Sequence, residues 1–288
     1  MDSSIAFIGA GNMAGSLIAG LLGKGTAPKN IIACDTDTSK LAALQAETGI
    51  HILDSERAAA TADVLVLAVK PQVMADVCCA LEPHIGDRDV VIVSIAAGVS
   101  LDSLQQWLGQ KRAIVRTMPN TPSLVAEGAT ALFANQATSD QQKQLADDVM
   151  GAVGITCWLK QESDIDAITA LSGSGPAYFF LLMEAMEKAA IAMGLDAGTA
   201  RRFAIQTAKG AGQLAAHQAS ARPEVPPAEL RRRVTSPGGT TERAINSFEH
   251  EGFTAIVERA MQAARLRSAE LGSADTAGTS HITHKESN

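Results

Sequence analysis

The feature that most constrains the fold is a glycine-rich turn, Gly9-Ala10-Gly11-Asn12-Met13-Ala14. It follows a short apolar run, residues 5–8, and opens a segment with helical spacing at residues 13–22. In that context Gly9 permits a tight turn, Gly11 lets the backbone approach a pyrophosphate, and small Ala14 lets the helix pack on the strand. The helix N-terminus adds N–H donors and partial positive charge. The turn therefore predicts a dinucleotide site.

The first part of the chain alternates apolar runs of strand length with segments of helical spacing. The predicted strands are 5–8, 31–34, 64–69, 90–95 and 113–117, and the predicted helices are 13–22, 39–46, 72–81 and 101–108. Continuous apolar runs are typical of strands buried on both faces of a parallel sheet. This βα rhythm predicts an α/β fold with an N-terminal doubly wound Rossmann domain over residues 1–160.

The later part of the chain contains only helical patterns. Predicted helices cover 163–170, 176–193, 197–218, 227–233 and 241–271. They indicate an all-helical second domain over residues 161–272. The helix at 176–193 is almost entirely apolar, so we expect it to be buried, with a subunit interface as the usual place for such a helix. Residues 273–288 carry few apolar side chains, which predicts a disordered tail.

Composition excludes several classes of function. The chain has 288 residues, a formal net charge of −7 and only 3% aromatic residues, so nucleic-acid binding is not expected. The N-terminus lacks the pattern of a signal peptide, and the most apolar segment carries Glu184, Glu187 and Lys188, so we expect a cytoplasmic protein without a membrane span. The four cysteines lack metal-ligand spacing, which predicts small buried side chains and no metal site.

The end of the second predicted strand bears on the choice of nucleotide. An acid such as Asp35 at this place normally accepts from the adenosine ribose and repels a 2′-phosphate, which favours NADH. Thr36, Thr38, Ser39 and Lys40 offer groups for a phosphate if Asp35 turns away. Asp35 can also serve only as a turn or helix cap, so the residues leave the nucleotide open.

Three more loops follow predicted strands, where ligands of open α/β sheets bind. They are Ala68-Val-Lys-Pro-Gln72, Ser94-Ile-Ala-Ala-Gly98 and Met118-Pro-Asn-Thr-Pro122. Lys70 either lies beside the adenosine or reaches solvent. Asn120, between two prolines, is expected to orient the substrate or the nicotinamide, and its alternative is an Asx turn.

Together with two motifs of the helical part, these loops carry a family resemblance. The helical motifs are Leu171-Ser-Gly-Ser-Gly-Pro-Ala-Tyr178 and Pro227-Ala-Glu-Leu-Arg-Arg-Arg-Val-Thr-Ser-Pro-Gly-Gly-Thr-Thr241. In this order, the set resembles pyrroline-5-carboxylate reductase, the last enzyme of proline biosynthesis. The resemblance implies a Rossmann domain, a helical dimerisation domain, a homodimer that often assembles further, and a substrate site between the domains of paired subunits.

The resemblance also implies reduction of 1-pyrroline-5-carboxylate to L-proline, with NADPH slightly favoured over NADH, whereas Asp35 argues for NADH. The loop from Ser236 to Thr241 is expected to bind the substrate carboxylate through the Ser236 hydroxyl and the N–H groups of Gly239 and Thr240. Thr241 is the predicted catalytic residue, at the ring nitrogen. The residues expected to contact the cofactor are Gly9, Gly11, Asn12, Met13, Asp35, Thr36, Ala68, Val69, Lys70, Pro71, Ala96, Ala97, Gly98 and Asn120.

The residues argue against one related enzyme family and leave two other functions as alternatives. β-Hydroxyacid dehydrogenases share this architecture but need a lysine and an asparagine where this chain has Phe179 and Met183, which cannot do acid–base work. A reductase of a related cyclic imine acid, such as the six-membered piperideine-2-carboxylate, fits the same residues. A dinucleotide-binding regulator without catalysis is a further alternative, against which the intact loop and Asn120 weigh.

Overall fold

A computed structural model of the chain describes residues 2–220 and 222–278. They divide into two compact units: unit 1 contains the residues up to Ser174 together with those from Ala264 onward, and unit 2 is Gly175–Ala263. The strands are β1 Ile5–Ile8, β2 Ile31–Cys34, β3 His51–Ile52, β4 Val64–Leu67, β5 Val91–Ser94, β6 Ala113–Met118, β7 Gly128–Ala134 and β8 Gly154–Trp158. The helices of unit 1 before this boundary are α1 Asn12–Gly23, α2 Thr38–Thr48, α3 Ser55–Thr61, α4 Met74–Ile85, α5 Leu101–Leu108, α6 Asp140–Met150 and α7 Asp164–Ile168.

Unit 1 is built on one sheet with the strand order β3-β2-β1-β4-β5-β6-β7-β8. All neighbouring strands are parallel except β6 and β7, which are antiparallel. The order reverses between β1 and β4, which is the switch point of a doubly wound fold. The α/β class and the Rossmann architecture predicted from sequence are therefore confirmed.

Alternate residues of the central strands face two separate hydrophobic layers. Ile5 and Phe7 of β1 belong to the layer that includes α1 and α6, whereas Ala6 and Ile8 belong to the layer that includes α3, α4 and α5. Because successive side chains of a strand point to opposite faces, a strand covered on both faces must be apolar throughout. This explains why β1, β2 and β4 are continuous apolar runs, and β5 is one up to Ser94, with every residue of the four strands buried.

Several elements were not predicted. They are β3, β7, β8, α3 and α6. The β7 strand begins at Gly128 and is rich in alanine, and β8 begins at Gly154, so neither has the dense β-branched run that marks a buried strand. The β8 strand pairs on one side only, with β7, and its Ile155 is 74% exposed, so burial does not impose a pattern on it.

Unit 2 is helical, as predicted for this part of the chain. Its helices are α8 Gly175–Ala192, α9 Ala197–Ala219, α10 Pro227–Arg233 and α11 Thr240–His250, and α12 Phe253–Gly278 runs on into unit 1. The helix predicted as one segment over 241–271 is two, because Gly252 takes a left-handed φ of +72° between them. A π-helical segment, Thr169–Gly173, precedes α8.

Two predictions need comment. The expectation that α8 is buried, with a subunit interface as the usual place, stays a prediction, since in the single chain Gly175 is its one buried residue. Helix α12 continues to Gly278, into the segment predicted as a disordered tail, and residues 279–288 lie outside the described residues. The domain limits 1–160 and 161–272 stay predictions, beside a structural boundary at residues 174–175.

Candidate functional site

The loops predicted to contact a dinucleotide meet at one edge of the sheet. Ile8 at the end of β1 is in register with Cys34 of β2 and Leu67 of β4, and Leu67 is in register with Ser94 of β5. The chain leaves these strands at the same level, so the segments beginning at Gly9, Asp35, Ala68 and Ile95 lie side by side. The candidate cofactor residues of these four loops are thus brought together within unit 1.

The glycine-rich turn is shaped for a ligand that lies against the backbone. Gly9 has a φ of +98°, and a Cβ built there would lie 2.7 Å from the Ala68 carbonyl oxygen. By contrast, a Cβ on Gly11 would meet no atom within 4 Å, although Gly11 is the N-cap of α1. Gly9 is therefore needed for the turn itself, whereas Gly11 keeps open a path to the helix N-terminus, where phosphates bind well. This cradle fits a dinucleotide pyrophosphate.

Asp35 binds the glycine-rich turn from the end of β2. Its Oδ2 accepts from the Ala10 N–H at 2.7 Å and its Oδ1 from the Asp37 N–H at 3.0 Å, while Lys40 Nζ lies 3.7 Å from Oδ2. Partial burial raises the pKa of the carboxyl, but the N–H groups of Asp37 and Ala10 and the Lys40 charge outweigh it, so the pKa is below its usual range. Asp35 is a fixed negative charge at this edge, and Thr36 beside it is exposed.

The two loops after β4 and β5 differ in which of their residues are exposed to solvent. The Ala68 N–H donates to the Ile8 carbonyl at 2.8 Å, which ties this loop to the glycine-rich turn. Lys70 is exposed, and Pro71 begins a short 3-10 turn over Pro71–Val73. In the loop after β5, Ala96 is buried, Ala97 is exposed, and Gly98 has a φ of +80°.

Helix α12 packs against the loop after β5. A Cβ on Gly98 would lie 3.4 Å from the Leu271 Cβ, and the Ser268 hydroxyl of the same helix donates to Asp166 at 2.7 Å. The end of α12 therefore supports one of the predicted cofactor loops from the far end of the chain.

Asn120 uses both ends of its side-chain amide on the backbone. Its Nδ2 donates to the Ser172 carbonyl at 3.0 Å, and its Oδ1 accepts from the Ala129 N–H at 2.9 Å. The residue is 8% exposed. These bonds join the end of β6 to β7 and to the π-helical segment, so Asn120 has a positioning role in the structure. Its direct contact with substrate or cofactor stays a prediction.

The predicted substrate loop, Ser236 to Thr241, lies in unit 2 between α10 and α11. Gly238 has a φ of +71°, and its N–H donates to Glu242 Oε2 at 2.8 Å. The Gly239 N–H donates to the Ser236 carbonyl at 3.0 Å, and a Cβ on Gly239 would lie 2.6 Å from Ser236 Oγ. In this structure the Gly239 N–H is therefore engaged within the loop.

Helix α11 begins directly after that turn. Gly239 is its N-cap, and Thr240 and Thr241 are its first two residues, with Thr240 exposed and Thr241 half-buried. The N–H groups of the first helical residues have no partner within the helix and carry partial positive charge. The loop and the first helical turn thus offer the N–H groups of Thr240, Thr241 and Glu242 and the hydroxyls of Ser236, Thr240 and Thr241 to a small anion.

The consecutive arginines just before this loop are occupied by ion pairs. Arg231 pairs with Glu249 at 2.8 Å, whereas Arg232 and Arg233 share Glu229. Hydrogen bonds from Arg232 and then Arg233 lower the pKa of Glu229 to about 2. Two carboxylates thus pair with the three arginines and offset most of their positive charge on the helix surface, which leaves the loop itself as the better anion site.

The cysteine prediction holds for two of the four side chains. Cys34 and Cys78 are buried, and burial raises the pKa of both thiols to about 12, with a smaller contribution from the Asp54 charge at Cys34 and from Cys79 at Cys78. Cys79 and Cys157 are exposed. In the described ranges, 2–220 and 222–278, no three His, Cys, Asp or Glu residues are grouped as metal ligands.

Sequence reasoning missed Glu242 as part of the loop. An acid three residues after the N-cap is the signal of a capping box, but that motif normally starts with Ser or Thr and here the N-cap is Gly239. It also did not predict the partner of the buried Arg116, whose Nη1 donates to Glu162 Oε1 at 2.6 Å while the same oxygen accepts from the Leu101 N–H. No local pattern connects those positions.

Two family models match the chain. Residues 162–271 match the model described as pyrroline-5-carboxylate reductase dimerisation. Residues 4–98 match a model described as NADP oxidoreductase coenzyme F420-dependent. The second match covers the glycine-rich turn and three of the adjoining loops, and the first covers the helical part with the loop Ser236 to Thr241.

Relatives match over nearly the whole chain. A pyrroline-5-carboxylate reductase of Pseudomonas aeruginosa is 53% identical over 93% of this chain and 96% of its own length. One from Pasteurella multocida is 44% identical over 93% and 97%.

Solved structures agree in fold. A pyrroline-5-carboxylate reductase from Coxiella burnetii has a TM-score of 0.89 at 42% identity, covering 94% of this chain and 99% of that one. The Plasmodium falciparum pyrroline carboxylate reductase, solved with NADP bound, has a TM-score of 0.79 at 28% identity, covering 94% and 98%.

Proposed function

The chain belongs to the pyrroline-5-carboxylate reductase family, and from that membership we propose which of its residues perform the reduction. It is an oxidoreductase that reduces 1-pyrroline-5-carboxylate to L-proline, the final step of proline biosynthesis. When bound, the reduced nicotinamide supplies a hydride to the imine carbon. The protonated imine is already electrophilic, so the chain's own residues mainly have to hold and orient the ring.

The observation that supports the dinucleotide role most directly is the contrast between Gly9 and Gly11. One glycine is required by the turn, and the other leaves the N-terminus of α1 open. We assign the pyrophosphate to this cradle, with Asn12 and Met13 at the helix start. The ribose and nicotinamide are assigned to the loops at Asp35–Thr36, Ala68–Pro71 and Ala96–Gly98.

The substrate carboxylate is assigned to the loop Ser236 to Thr241. The N–H groups of Thr240 and Thr241 and the Ser236 hydroxyl support this assignment, because charge-assisted hydrogen bonds at a helix N-terminus suit a small anion. The Thr241 hydroxyl is placed at the ring nitrogen, where it orients the imine proton. Glycine at position 239 leaves room for the Ser236 hydroxyl, because a Cβ there would lie 2.6 Å from Ser236 Oγ.

A direct assay tests the proposed function. The purified chain is mixed with pyrroline-5-carboxylate and NADPH or NADH, and loss of the reduced nicotinamide absorbance is followed. We expect rapid oxidation, with L-proline as product and a lower kcat/KM for piperideine-2-carboxylate. No oxidation with either nucleotide would favour the regulator, and a higher kcat/KM for piperideine-2-carboxylate would favour the six-membered ring.

We propose that Asp35 sets the preference between the two nucleotides in favour of NADH. Its carboxylate is ionised and held in place, and its oxygens keep lone pairs that can accept from ribose hydroxyls. A 2′-phosphate placed at this edge would bring a second anion next to it. Lys40 at 3.7 Å offsets part of that charge and limits the discrimination.

This predicts opposite effects for two substitutions. Asp35→Asn, which keeps an amide oxygen for the Ala10 N–H, should raise the ratio of kcat/KM for NADPH over NADH by about tenfold, because it removes one fixed charge. Lys40→Met should lower the same ratio by about threefold. Initial rates with both nucleotides measure each ratio, and an Asp35→Asn ratio equal to wild type would refute the assignment.

A homodimer through the helical unit is the assembly we propose, and higher assemblies of dimers are left to measurement. The family model that matches this part is a dimerisation domain. Helix α8 exposes 63% of Phe179, 62% of Phe180 and 66% of Leu181, which is more apolar surface than a monomer normally presents to water. Light scattering of the purified chain gives the mass in solution.

We further propose a cytoplasmic location. Within residues 2–220 and 222–278, one helical stretch, Asp164–Ala192, is apolar and long enough to cross a membrane by length and composition, but a single such helix is weak evidence of a span. Fractionation of cells that express the chain distinguishes the two compartments.

A further inference from the structure

We infer that Glu242 is a positioning residue for substrate, holding the loop Ser236 to Thr241 so that its free N–H groups face one way. This inference rests on the proposed role of that loop in binding the substrate carboxylate. Glu242 is in the first turn of α11, and its Oε2 accepts from the Gly238 N–H at 2.8 Å. The side chain is half-buried beside the turn it contacts.

The turn needs such a contact because sterics alone do not hold it. A Cβ on Gly238 would meet no atom within 4 Å outside its two chain neighbours, so no close contact on that side holds its φ at +71°. What holds the turn is a pair of hydrogen bonds on successive N–H groups, Gly238 to Glu242 and Gly239 to the Ser236 carbonyl. A glycine loses more conformational freedom on ordering than any other residue, so two adjacent glycines without these bonds would sample other turns.

The bond departs from the usual capping box in a way that matters for binding. In that motif the acid at the third helical position bonds the N–H of the N-cap. Here the N-cap is Gly239, and its N–H already donates to Ser236, so Glu242 reaches one residue further back to Gly238. Both N–H groups that precede the helix are thereby satisfied within the loop.

These two hydrogen bonds determine which N–H groups remain available to bind an anion. With Gly238 and Gly239 engaged, the N–H groups of Thr240, Thr241 and Glu242 are the ones left pointing out of the helix N-terminus, because the Arg243 N–H already donates to the Gly239 carbonyl. An anion bound by two neighbouring N–H groups on one helix turn has a defined direction, which a flexible Gly-Gly turn would not give. Glu242 therefore acts on the substrate through Gly238, without contacting it.

The experiment compares three variants of the full chain. Glu242→Ala removes the acceptor, Glu242→Gln keeps an acceptor without the charge, and Arg243→Ala changes the exposed neighbour on the same helix turn as a control. Steady-state rates give KM and kcat for pyrroline-5-carboxylate and KM for the nucleotide, and thermal melting monitors folding. We expect Glu242→Ala to raise the KM for the imine by about tenfold, with little change in the KM for the nucleotide.

Glu242→Gln should recover the KM for the imine to within about threefold of wild type, because the acceptor is retained. Arg243→Ala should match wild type. A Glu242→Ala variant that melts earlier but keeps its KM would show that Glu242 is only a helix cap and would overturn the inference. If Glu242→Gln raises the KM for the imine as much as Glu242→Ala does, the inference is overturned too, because the charge of Glu242 rather than its hydrogen-bond acceptor would then determine the KM.

Gly239→Ala separates failure of this inference from failure of the proposed function. Its new Cβ would be 2.6 Å from Ser236 Oγ and 3.0 Å from the Ser236 carbonyl oxygen of the backbone, so the Ser236 end of the loop must shift independently of Glu242. If Gly239→Ala raises the KM for the imine and Glu242→Ala does not, the loop binds substrate and only the role of Glu242 is wrong. If both variants keep the wild-type KM, the proposed function of the loop fails.

Discussion

Replacing Gly9 with alanine is expected to raise the KM for the nicotinamide nucleotide by about 100-fold, the largest effect among the substitutions considered. The new Cβ would lie 2.7 Å from the Ala68 carbonyl oxygen and 2.9 Å from its carbon, both backbone atoms that cannot move away separately. The φ of +98° also disfavours any residue with a Cβ, at a cost of about 1–3 kcal/mol. The turn and the β4 loop must then separate, which opens the pyrophosphate cradle.

The matched control for this variant is Gly15→Ala, one turn into α1. A Cβ on Gly15 would meet no atom within 4 Å, and alanine is the better helix former. Gly15→Ala should therefore bind nucleotide as wild type does and melt at the same or a higher temperature. Nucleotide titration followed by intrinsic fluorescence, together with thermal melting, gives both quantities, and a Gly9→Ala variant with wild-type affinity would contradict the cradle.

Replacing Thr241 with valine is expected to lower kcat by about tenfold or more, with a smaller change in the KM for the nucleotide. Valine has nearly the same shape as threonine but lacks the hydroxyl, so the helix start and the backbone N–H are retained. The loss then reports the contact of the hydroxyl with the ring nitrogen. Steady-state rates between about pH 6 and about pH 9 measure kcat and its pH profile.

Thr241→Ser is the control for that variant, because it restores the hydroxyl at the same position. We expect it to recover most of kcat. Unchanged rates of Thr241→Val with the protonated imine would remove Thr241 from the chemistry and leave the loop with a binding role alone.

Local sequence was sufficient for the elements that are buried on both faces. The runs around Ile5, Val64 and Val91 were predicted as strands because two covering layers require apolar residues at every position. The β8 strand was missed because its outer edge is unpaired and Ile155 is exposed, so its composition is not constrained in that way. The burial expected for helix α8 stays a prediction, because apolar composition shows that a face needs cover, without showing whether the cover belongs to the same chain.

The candidate site was likewise predicted only in part from the sequence. Gly9, Gly11 and Asp35 were recognised from position, since each stands at the end of a predicted strand or the start of a helix. What each polar group binds was not predictable, because hydrogen-bond partners come from distant segments. Asp35 binds the N–H of Ala10, 25 residues earlier, and Asn120 binds the carbonyl of Ser172, 52 residues later.

The sequence by itself determined the doubly wound fold and the glycine-rich turn, because spacing, apolar runs and glycine positions act locally along the chain, and its motifs carried the resemblance to the family. The tertiary structure alone decided which donors remain free. It assigned the Asp35 carboxylate to the glycine-rich turn, both ends of the Asn120 amide to the backbone, and the Gly238 N–H to Glu242. The physical reason is that a hydrogen-bonding group is used up by whichever partner folding brings within about 3 Å of it.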